Sequence, residues 1–323
     1  MCTAIYEGGT FPLFGRTLDL ECSYGESVVL TPRGFLLPLR HLPTARTSLT
    51  ILGTARIQDG FPLYYDAVNE AGLAIAGLNF PGNAVYHAPR RDTHNVASFE
   101  LIPWLLASYH CLAEAVQALE NTTVVSDSFS AQFTATPLHW MIADRTGAVT
   151  VESTVEGLRI YDNPFGVLTN NPPFPYQTAH LTHFLHLDST PPTNHLCPTL
   201  PLAPYSRGMG AMGLPGDYSS ASRFVRALFA KSHTVHGKTE QEELSRFFHL
   251  MDTVSVPLGC VRTETGKPVS TVYTSCADLR GATYSVTTYH NRRIRSFPLP
   301  KHRDIGTDLI SFSMDTDEDI RYE

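Results

Sequence analysis

The sequence predicts an α+β protein, with antiparallel sheets layered against helices in a single domain over residues 1–323. Runs of strand-like segments alternate with runs of helical periodicity, without a strict βαβ order. Short turn sequences separate the strand-like segments, as in hairpins and meanders. A Pro-rich stretch at 191–204 interrupts the pattern, but strand-like sequence occurs before and after it. We therefore interpret that stretch as a long loop within the domain.

The first third of the chain is predicted to form strands. The segments CTAIYEGG and FPLFGRTLDL flank a Gly-Gly turn, which is a hairpin signal. The next two segments, SVVLTPRGF and TSLTILGTARI, alternate or run apolar. The segment PLYYDAVNEAGLAIAGLNF predicts another hairpin, which turns at residues 70–72. These segments together predict an antiparallel sheet at the N-terminus.

The remaining elements follow in the same manner. Apolar residues recur at three-to-four spacing over residues 99–119, which predicts helix. Turn residues divide 138–161 into a three-stranded meander. Two further helices are predicted at 219–231 and 239–253, and the segment 270–297 predicts a final hairpin with Arg-Gly at its turn. The order of elements is thus β, α, β, α, β.

Composition and charge exclude several function classes. The apolar fraction of 42% and the charged fraction of 17% are typical of a globular protein. The net charge is −7 and no Lys/Arg cluster forms a stripe, so no nucleic-acid partner is expected. No apolar run approaches the ~18 residues of a membrane span. No basic-then-apolar leader is visible, so the protein is expected to be cytoplasmic and not membrane-bound. The acidic end, SMDTDEDIRYE, is predicted to be a solvated tail.

Two motifs suggest ligands only weakly. Residues 208–213 read GMGAMG, but a Pro-rich loop precedes this GxGxxG pattern where a dinucleotide site needs a strand. His180, His183 and His186 recur every three residues on a predicted helix, whereas zinc helices favour pairs four residues apart. The six cysteines form no CxxC pair and are expected to be reduced. We therefore predict no metal and no cofactor.

Cys2 has a specific chemical possibility. If Met1 is removed, Cys2 becomes the N-terminal residue and carries both a thiol and an α-amine. An α-amine has an ordinary pKa of about 7.7–8.0, so it can act as a base near neutral pH. One residue would then supply what a cysteine and a histidine supply together in other enzymes.

Such a nucleophile needs polar helpers inside otherwise apolar segments. A cation would favour the thiolate, a carboxylate would orient the amine, and amide groups would hold an oxyanion. The candidates are Arg16, Asp19, Asn79, Asn170 and Arg223. Each of them can equally be an ordinary buried polar group that is hydrogen-bonded. The residues alone leave both interpretations open.

Several long segments, in order, resemble the choloylglycine hydrolase family, which comprises bile salt hydrolases and penicillin V acylases. They include MCTAI, FGRTLDL, YYDAVNEAGLAIAGLNFPG, VESTVEGLRIYDNPFGVLTNNP and YSRGMGAMGLPGDYSSASRFVR, and they span essentially the whole chain. The resemblance implies an N-terminal nucleophile (Ntn) hydrolase, an αββα four-layer sandwich with two stacked antiparallel sheets. It also implies a homo-oligomer, typically a tetramer, and we expect the loop over 191–216 to take part in assembly.

The resemblance implies a role for each polar candidate. Cys2 would be the nucleophile and, through its amine, the general base and acid. Arg16 would stand beside the thiol and favour its ionised form. Asp19 would hydrogen-bond the α-amine and fix its position.

The other three candidates complete the implied site. Asn79 would offer its side-chain amide to the oxyanion. Asn170 would bind the amine and help to shape the oxyanion site. Arg223 would complete the polar network behind Cys2.

The resemblance further implies the reaction and the substrate. The thiolate would cleave the amide bond between a steroid acyl chain and glycine or taurine through a cysteinyl thioester. The alternative is a penicillin V acylase or a related linear-amide hydrolase, but those enzymes often place Tyr at the position of Asn79. Four apolar residues are expected to line the steroid site, although each can also be a plain surface or core residue: Leu18, Tyr24, Phe61 and Ala67.

Overall fold

Two large antiparallel sheets carry the fold. The computed structural model describes residues 1–281, 283–300 and 306–323. The strands of these residues are β1 (Cys2–Glu7), β2 (Leu13–Leu20), β3 (Ser27–Thr31), β4 (Leu36–Leu37), β5 (Ala45–Arg46), β6 (Ile51–Gln58), β7 (Phe61–Asn69), β8 (Ala74–Asn79), β9 (His94–Ala97), β10 (Thr122–Val125), β11 (Leu138–Asp144), β12 (Gly147–Thr154), β13 (Gly157–Asp162), β14 (Val167–Leu168), β15 (Val261–Arg262), β16 (Pro268–Asp278), β17 (Thr283–Thr288), β18 (Arg295–Pro298) and β19 (Ile310–Ser313). The helices are α1 (Leu101–Ser108), α2 (Leu112–Glu120), α3 (Phe174–His180), α4 (Ser220–His233) and α5 (Glu240–Asp252), with short 3-10 helices at Leu181–Phe184 and Met209–Ala211.

We name the two large sheets I and II. Sheet I has the strand order β14-β1-β2-β16-β17-β18, with β15 beside β16. Sheet II has the order β13-β12-β11-β8-β7-β6-β3-β19. The strand pairs within both sheets are antiparallel. Strands β4 and β5 form a small separate hairpin, and β9 and β10 form a short parallel pair.

Helices cover the outer face of each sheet. Helices α4 and α5 pack on β1, β2, β14 and β16 of sheet I, and α1 and α2 pack on strands of sheet II. Period-two alternation divides each strand between two faces. On β8, Ala76 and Leu78 face sheet I, whereas Ile75 faces α1 and α2. The result is the four-layer αββα sandwich that the resemblance implied.

Two hydrophobic clusters fill the layers. The inner core combines both sheets with α4 and α5, and includes Cys2, Leu78 and Tyr273. The outer core lies between sheet II and the helices α1 and α2, and includes Leu105 and Trp140. The catalytic candidates described below belong to the inner core or its edge.

Most predicted elements occur where the sequence placed them, with two differences. The helical periodicity over 99–119 forms two helices, because the chain is extended at Tyr109 and again at Cys111. The acidic tail is not simply solvated. Its first residue, Ser313, ends β19, which pairs with β3, and Asp315 then pairs with Arg295 at 2.6 Å. Ala282, inside the last predicted hairpin, lies outside the described residues.

The spaced histidines and the GMGAMG segment do not have the geometry of ligand sites. Only His180 of the three spaced histidines lies in α3, and His183 and His186 are exposed beyond it. Residues 208–213 form a 3-10 turn after a loop. Across the described part of the chain, no group of three or more His, Cys, Asp or Glu side chains is arranged to hold a metal. In the same residues, no helix has the length and apolarity to cross a membrane.

Candidate active site

Cys2 is the first residue of β1, between β14 and β2 in sheet I. Its side chain is 3% exposed and belongs to the inner core. Leu18 lies directly opposite on β2, and Arg16 lies two residues before Leu18 on the same face of the sheet. Thr3 points to the other face, where Arg223 of α4 donates to its hydroxyl at 2.6 Å. Strand pairing therefore puts the thiol beside a guanidinium inside the sandwich.

The Cys2 backbone nitrogen marks the position of the future amine. Because Met1 is present in this chain, this atom is a peptide nitrogen, and it stands in for the α-amine that removal of Met1 would create. It donates to Asn170 Oδ1 at 2.9 Å. Arg223 Nη2 donates to the same oxygen at 2.7 Å, and Asn170 Nδ2 donates to the Asn79 carbonyl at 2.7 Å. One amide thus links the Cys2 nitrogen to α4 and to the end of β8.

Met1 extends the β1–β2 ladder by one residue. Its amine donates to the Asp19 carbonyl at 2.6 Å, and its own carbonyl accepts from the Asp19 N–H at 3.0 Å. The Asp19 carboxylate accepts from Thr271 at 2.7 Å and from Thr17 at 3.4 Å. With Met1 in place the Cys2 nitrogen bonds to Asn170, and the predicted bond between the free α-amine and Asp19 stays a prediction. The peptide nitrogen has a single hydrogen, and Asn170 accepts it.

Burial controls the electrostatics of Asp19. Loss of water raises the pKa of its carboxyl above the ordinary value, against the opposing effects of Arg223, the N-terminus and the Thr271 hydrogen bond. Asp19 is fully buried, so these partners replace its solvent. A carboxyl in this condition is sensitive to any change in the charge of its neighbours.

Arg16 is a fully buried cation with one unused nitrogen. Its Nη1 donates to the Gly77 carbonyl at 2.8 Å and to the Tyr65 carbonyl at 3.3 Å, and its Nε donates to the Thr17 carbonyl at 3.1 Å. The buried Nη2 has no hydrogen-bond partner among the described residues. A buried donor without a partner is unfavourable unless a ligand or water satisfies it. This nitrogen is the part of Arg16 that is available to a thiolate or to a substrate.

The surroundings keep Arg16 protonated. Burial by itself lowers the pKa of the guanidinium, but Cys2, Tyr273, Asp66 and Asp19 outweigh it, and the pKa lies above the ordinary value. The positive charge is therefore permanent and lies beside the thiol. It stabilises negative charge on the Cys2 sulfur.

Asp66 on β7 supports Arg16 from sheet II, and sequence reasoning missed it. Its carboxylate accepts from the Tyr273 hydroxyl at 2.5 Å and from the Ser275 and Tyr284 hydroxyls at 2.7 Å each. Burial raises the pKa of Asp66, while Arg16 and the three hydroxyls oppose that rise. The signal that could have revealed Asp66 is the one that revealed Arg16, a charge inside the apolar run PLYYDAVN.

The oxyanion candidate Asn79 lies at the exposed end of β8. Its carbonyl holds Asn170, as described above, and its neighbour in sheet II is Leu138. The exposed position leaves its side-chain amide accessible to a substrate. Cys2, Asn79, Asn170 and Arg223 therefore form one hydrogen-bonded cluster. Arg16 adjoins it on the Cys2 face of β2, and the Asp19 backbone pairs with Met1.

Two of the four predicted substrate residues lie near Cys2 or in a loop beside it. Leu18 faces Cys2, and Tyr24 is 42% exposed in the loop between β2 and β3. Phe61 and Ala67 instead belong to the outer core, where Phe61 contacts Phe99 with ring centroids 5.7 Å apart. The structure does not bring these two to Cys2, because their strand positions face α1 and α2. Their assignment to the substrate site stays a prediction, and these contacts do not support it.

Tyr65 is a residue of the inner face that the sequence reasoning missed. The β6–β7 register shifts between Thr54 and Ala55, which leaves Tyr65 as an extra residue on β7. Its side chain packs against the inner core, and its carbonyl accepts from Arg16. Burial raises the pKa of the Tyr65 hydroxyl, as does Glu26, so the phenol stays neutral. The bulge that turns Tyr65 inward has no sequence signal of its own.

Comparison with known proteins identifies the family. A sequence model of the linear amide C–N hydrolases, choloylglycine hydrolase family, matches residues 2–313. This chain belongs to the choloylglycine hydrolase family. It is 42% identical, over 314 residues and 97% of each chain, to the bile salt hydrolase/transferase of Lactiplantibacillus plantarum. As a member of this family, the protein is a hydrolase of linear amide bonds.

Solved structures agree with this membership. The crystal structure of a mutant conjugated bile acid hydrolase from Clostridium perfringens superposes with a TM-score of 0.92, at 32% identity, over 100% of this chain and 99% of that chain. The penicillin V acylase from Agrobacterium tumefaciens superposes with a TM-score of 0.73 at 20% identity, over 93% of this chain and 86% of that one. At that identity, the acylase shows a shared choloylglycine hydrolase fold and no more.

Proposed function

We propose that this enzyme hydrolyses bile salts, the amides of bile acids with glycine or taurine, with Cys2 as nucleophile after removal of Met1. The observation that carries the proposal is the Cys2 nitrogen held 2.9 Å from Asn170 Oδ1, with the thiol beside Arg16. The names of the similar proteins supply the substrate class, since they are bile salt or conjugated bile acid hydrolases. No cofactor takes part in the proposed reaction.

The proposed reaction is acyl transfer in two steps. The Cys2 thiolate attacks the amide carbonyl, and the side-chain amide of Asn79 donates to the oxygen that gains negative charge. The α-ammonium of Cys2 protonates the leaving nitrogen, which departs as glycine or taurine. The amine then takes a proton from water, and the resulting hydroxide cleaves the thioester. The bile acid leaves and the thiol is restored.

The other proposed roles follow from the contacts. Arg16 stabilises charge on the sulfur, and Arg223 holds the Asn170 oxygen that accepts from the Cys2 nitrogen. Asp19 takes over the second hydrogen of the amine once Met1 no longer occupies its backbone carbonyl. Leu18 and Tyr24 line the acyl site, and Tyr65 joins them from the inner face of β7.

The experiment measures amine release from glycocholate and taurocholate, and acid release from penicillin V, by the purified protein. We expect bile salts to be preferred and Cys2→Ala to abolish turnover. Preference for penicillin V would replace the proposed substrate with the alternative acylase activity. Mass spectrometry of the N-terminus provides the second readout. Full activity in protein that retains Met1 would overturn the role of the α-amine.

We also propose that the enzyme acts in the cytoplasm, as a homotetramer. Six free cysteines, of which Cys22 and Cys260 are exposed, fit a reducing compartment. Exposed apolar side chains in the loop over 191–216 fit a subunit contact. They include Leu196, Leu202, Tyr205 and Met212. Light scattering after size exclusion tests the assembly, and a monomeric mass at micromolar concentration would contradict it.

A further inference from the structure

Directly behind Asn79 and Asn170 lies a buried ionisable pair that the proposed mechanism does not use. His139 on β11 and Glu152 on β12 are opposite each other in sheet II. Their side chains are 1% and 0% exposed, and His139 Nδ1 lies 3.2 Å from Glu152 Oε1. Burying such a pair is costly, and replacing it with apolar residues is often neutral for stability. Its contacts therefore determine what role it has.

The His139 ring touches the neighbours of both asparagines. Its Nε2 lies 2.9 Å from the carbonyl of Thr169, the residue before Asn170. Its ring stacks on Phe80, the residue after Asn79, with centroids 4.2 Å apart and planes 5° from parallel. One rigid side chain thus fixes the distance between the two backbone segments that carry Asn79 and Asn170.

Glu152 holds the far end of the Asn170 segment. Its Oε1 also accepts from the backbone N–H of Phe174 at 3.0 Å, at the start of α3. His139 therefore binds the first residue of segment 169–174, and Glu152 binds the last. From the other side, Ser220 of α4 accepts from the Asn170 N–H at 2.8 Å. Asn170 is held between two supports that do not touch the reacting atoms.

The hydrogen bonds define the protonation of the pair. A carbonyl only accepts, so the bond to Thr169 requires a hydrogen on His139 Nε2. The contact between Nδ1 and Oε1 requires one more hydrogen, which either partner can carry. The pair therefore shares a single proton and has no net charge in either form. Glu152 Oε2 is buried and has no partner among the described residues, so all directional bonding passes through Oε1.

We propose that His139 and Glu152 are positioning residues for the oxyanion site, which they set by fixing Asn79 and Asn170 relative to each other. This inference rests on the proposed function, because it assumes that Asn79 stabilises the oxyanion. A displacement of about 1 Å in a catalytic group can lower the rate on the order of 10²-fold. The pair prevents such a displacement, and it does so without contacting the substrate.

The test is a set of variants assayed with glycocholate. We expect His139→Leu to lower kcat by about 10- to 100-fold and to change KM by less than about threefold. His139→Gln keeps a donor for the Thr169 carbonyl, so it should recover part of kcat. Glu152→Gln should lower kcat as well. Its amide can either accept from the Phe174 N–H or donate to a neutral His139 Nδ1, but one atom cannot do both.

A double-mutant cycle separates positioning from a purely structural role. If His139 acts through Asn79, then His139→Leu should reduce activity by less than about twofold in an Asn79→Ala background. Equal losses in both backgrounds would overturn the inference. If His139→Leu does not fold, the cycle is made with His139→Gln. The matched control is Asp144→Asn, a buried residue of the same strand that binds the Leu112 N–H at 2.8 Å, away from the site. It should lower the thermal midpoint and leave kcat unchanged.

The outcomes distinguish this inference from the proposed function. A wild-type protein that releases no amine from bile salts would contradict the proposed function itself. An active wild type with additive losses, or with a change confined to KM or to stability, would contradict only the positioning role.

Discussion

The two faces of sheet II are built from opposite kinds of residue. The outer face packs against α1 and α2 through apolar and aromatic side chains, such as Leu105, Trp140 and Phe61. The inner face has the same strands and the same burial, but Asp66 and His139 interrupt its apolar surface. The buried polar groups of the outer face, such as Asn69 and Asp144, bind backbone groups of α1 and α2 and so serve packing. The inner face contains groups whose burial is costly, and each is joined by hydrogen bonds to another part of the site.

This difference indicates where stability and activity reside in the fold. The Asp66 carboxylate of sheet II accepts from the Ser275 hydroxyl on β16 of sheet I, and that hydroxyl accepts from the Arg16 N–H on β2. The buried charge of Asp66 thus helps to orient Arg16. The apolar packing on the outer face of sheet II can offset the unfavourable free energy of burying that charge. We therefore expect inner-face changes to affect turnover, and outer-face changes to affect the free energy of unfolding.

Of these variants, Arg16→Met should lower turnover the most. The variant removes the cation beside Cys2, so kcat should fall on the order of 10²–10³-fold, the loss typical of one electrostatic stabiliser. The thermal midpoint should fall as well, because the buried carboxylates of Asp66 and Asp19 and the Gly77 carbonyl lose a partner. Steady-state kinetics with taurocholate and calorimetry check the two expectations. A variant that unfolds but retains its kcat would reverse the comparison.

Leu105→Ala is the matching change on the outer face. Leu105 is fully buried in the outer core. Its truncation should cost about 3 kcal/mol of unfolding free energy, within the usual range for a buried leucine. Urea unfolding measures that loss, and kcat per folded molecule should stay within about twofold of wild type. A tenfold fall in kcat would show that the outer core also positions the site.

The sequence allowed the strands to be predicted, but not which face each residue would take. The hairpin of β7 and β8 was predictable because Gly72, with φ of +93°, closes its turn. Both faces of β7 are buried, so its apolar pattern gave no polarity by which to orient Phe61 or Ala67. The bulge at Tyr65 is a property of strand pairing, which a single sequence does not show.

The catalytic cluster was predictable only in part for a similar reason. A polar residue in an apolar segment indicates that it has a partner, but the sequence does not say where that partner lies. For Arg16 the partner is Asp66, which lies on the other sheet. The roles of Cys2 and its neighbours came from the family resemblance, and their contacts with each other came from the structure. His139 and Glu152 gave the same weak signal as many satisfied core residues, because only tertiary contacts reveal that they meet the asparagine segments.

Asp66→Asn should show how far the inner network extends. The change keeps the shape but removes the negative charge opposite Arg16 and places an amide N–H₂ against hydroxyl donors. We expect kcat to fall about tenfold with a small change in KM, because Arg16 is held less well. Asn69→Asp is the matched control, since Asn69 lies on the same strand and binds the carbonyls of Leu106 and Tyr109. That control should lower stability without lowering kcat.

Glu243→Gln should have the smallest effect of these variants: a pH-dependent loss of unfolding free energy with no change in kcat. It tests whether a buried charge outside the active site also affects turnover. Glu243 of α5 lies on the outer side of sheet I and pairs with Arg246 at 2.6 Å. Burial raises its pKa, but the Arg246 hydrogen bonds, the Gly237 N–H and His236 outweigh this and lower the pKa to about 2. The folded-state pKa is thus below the unfolded one.

The sign of the pH dependence follows from that shift. Glu243 stabilises the folded state fully above the ordinary pKa of 4.5, and this contribution is lost as the pH falls toward 2. Wild type should therefore be more stable than Glu243→Gln at pH 7, and the difference should shrink between about pH 5 and pH 3. Urea unfolding at several pH values measures it, with Glu264→Gln in an exposed loop as the control. Glu243 does not lie between the two sheets, so we expect its charge to affect stability alone. A stability difference that does not vary with pH, or a loss of kcat at pH 7, would contradict that expectation.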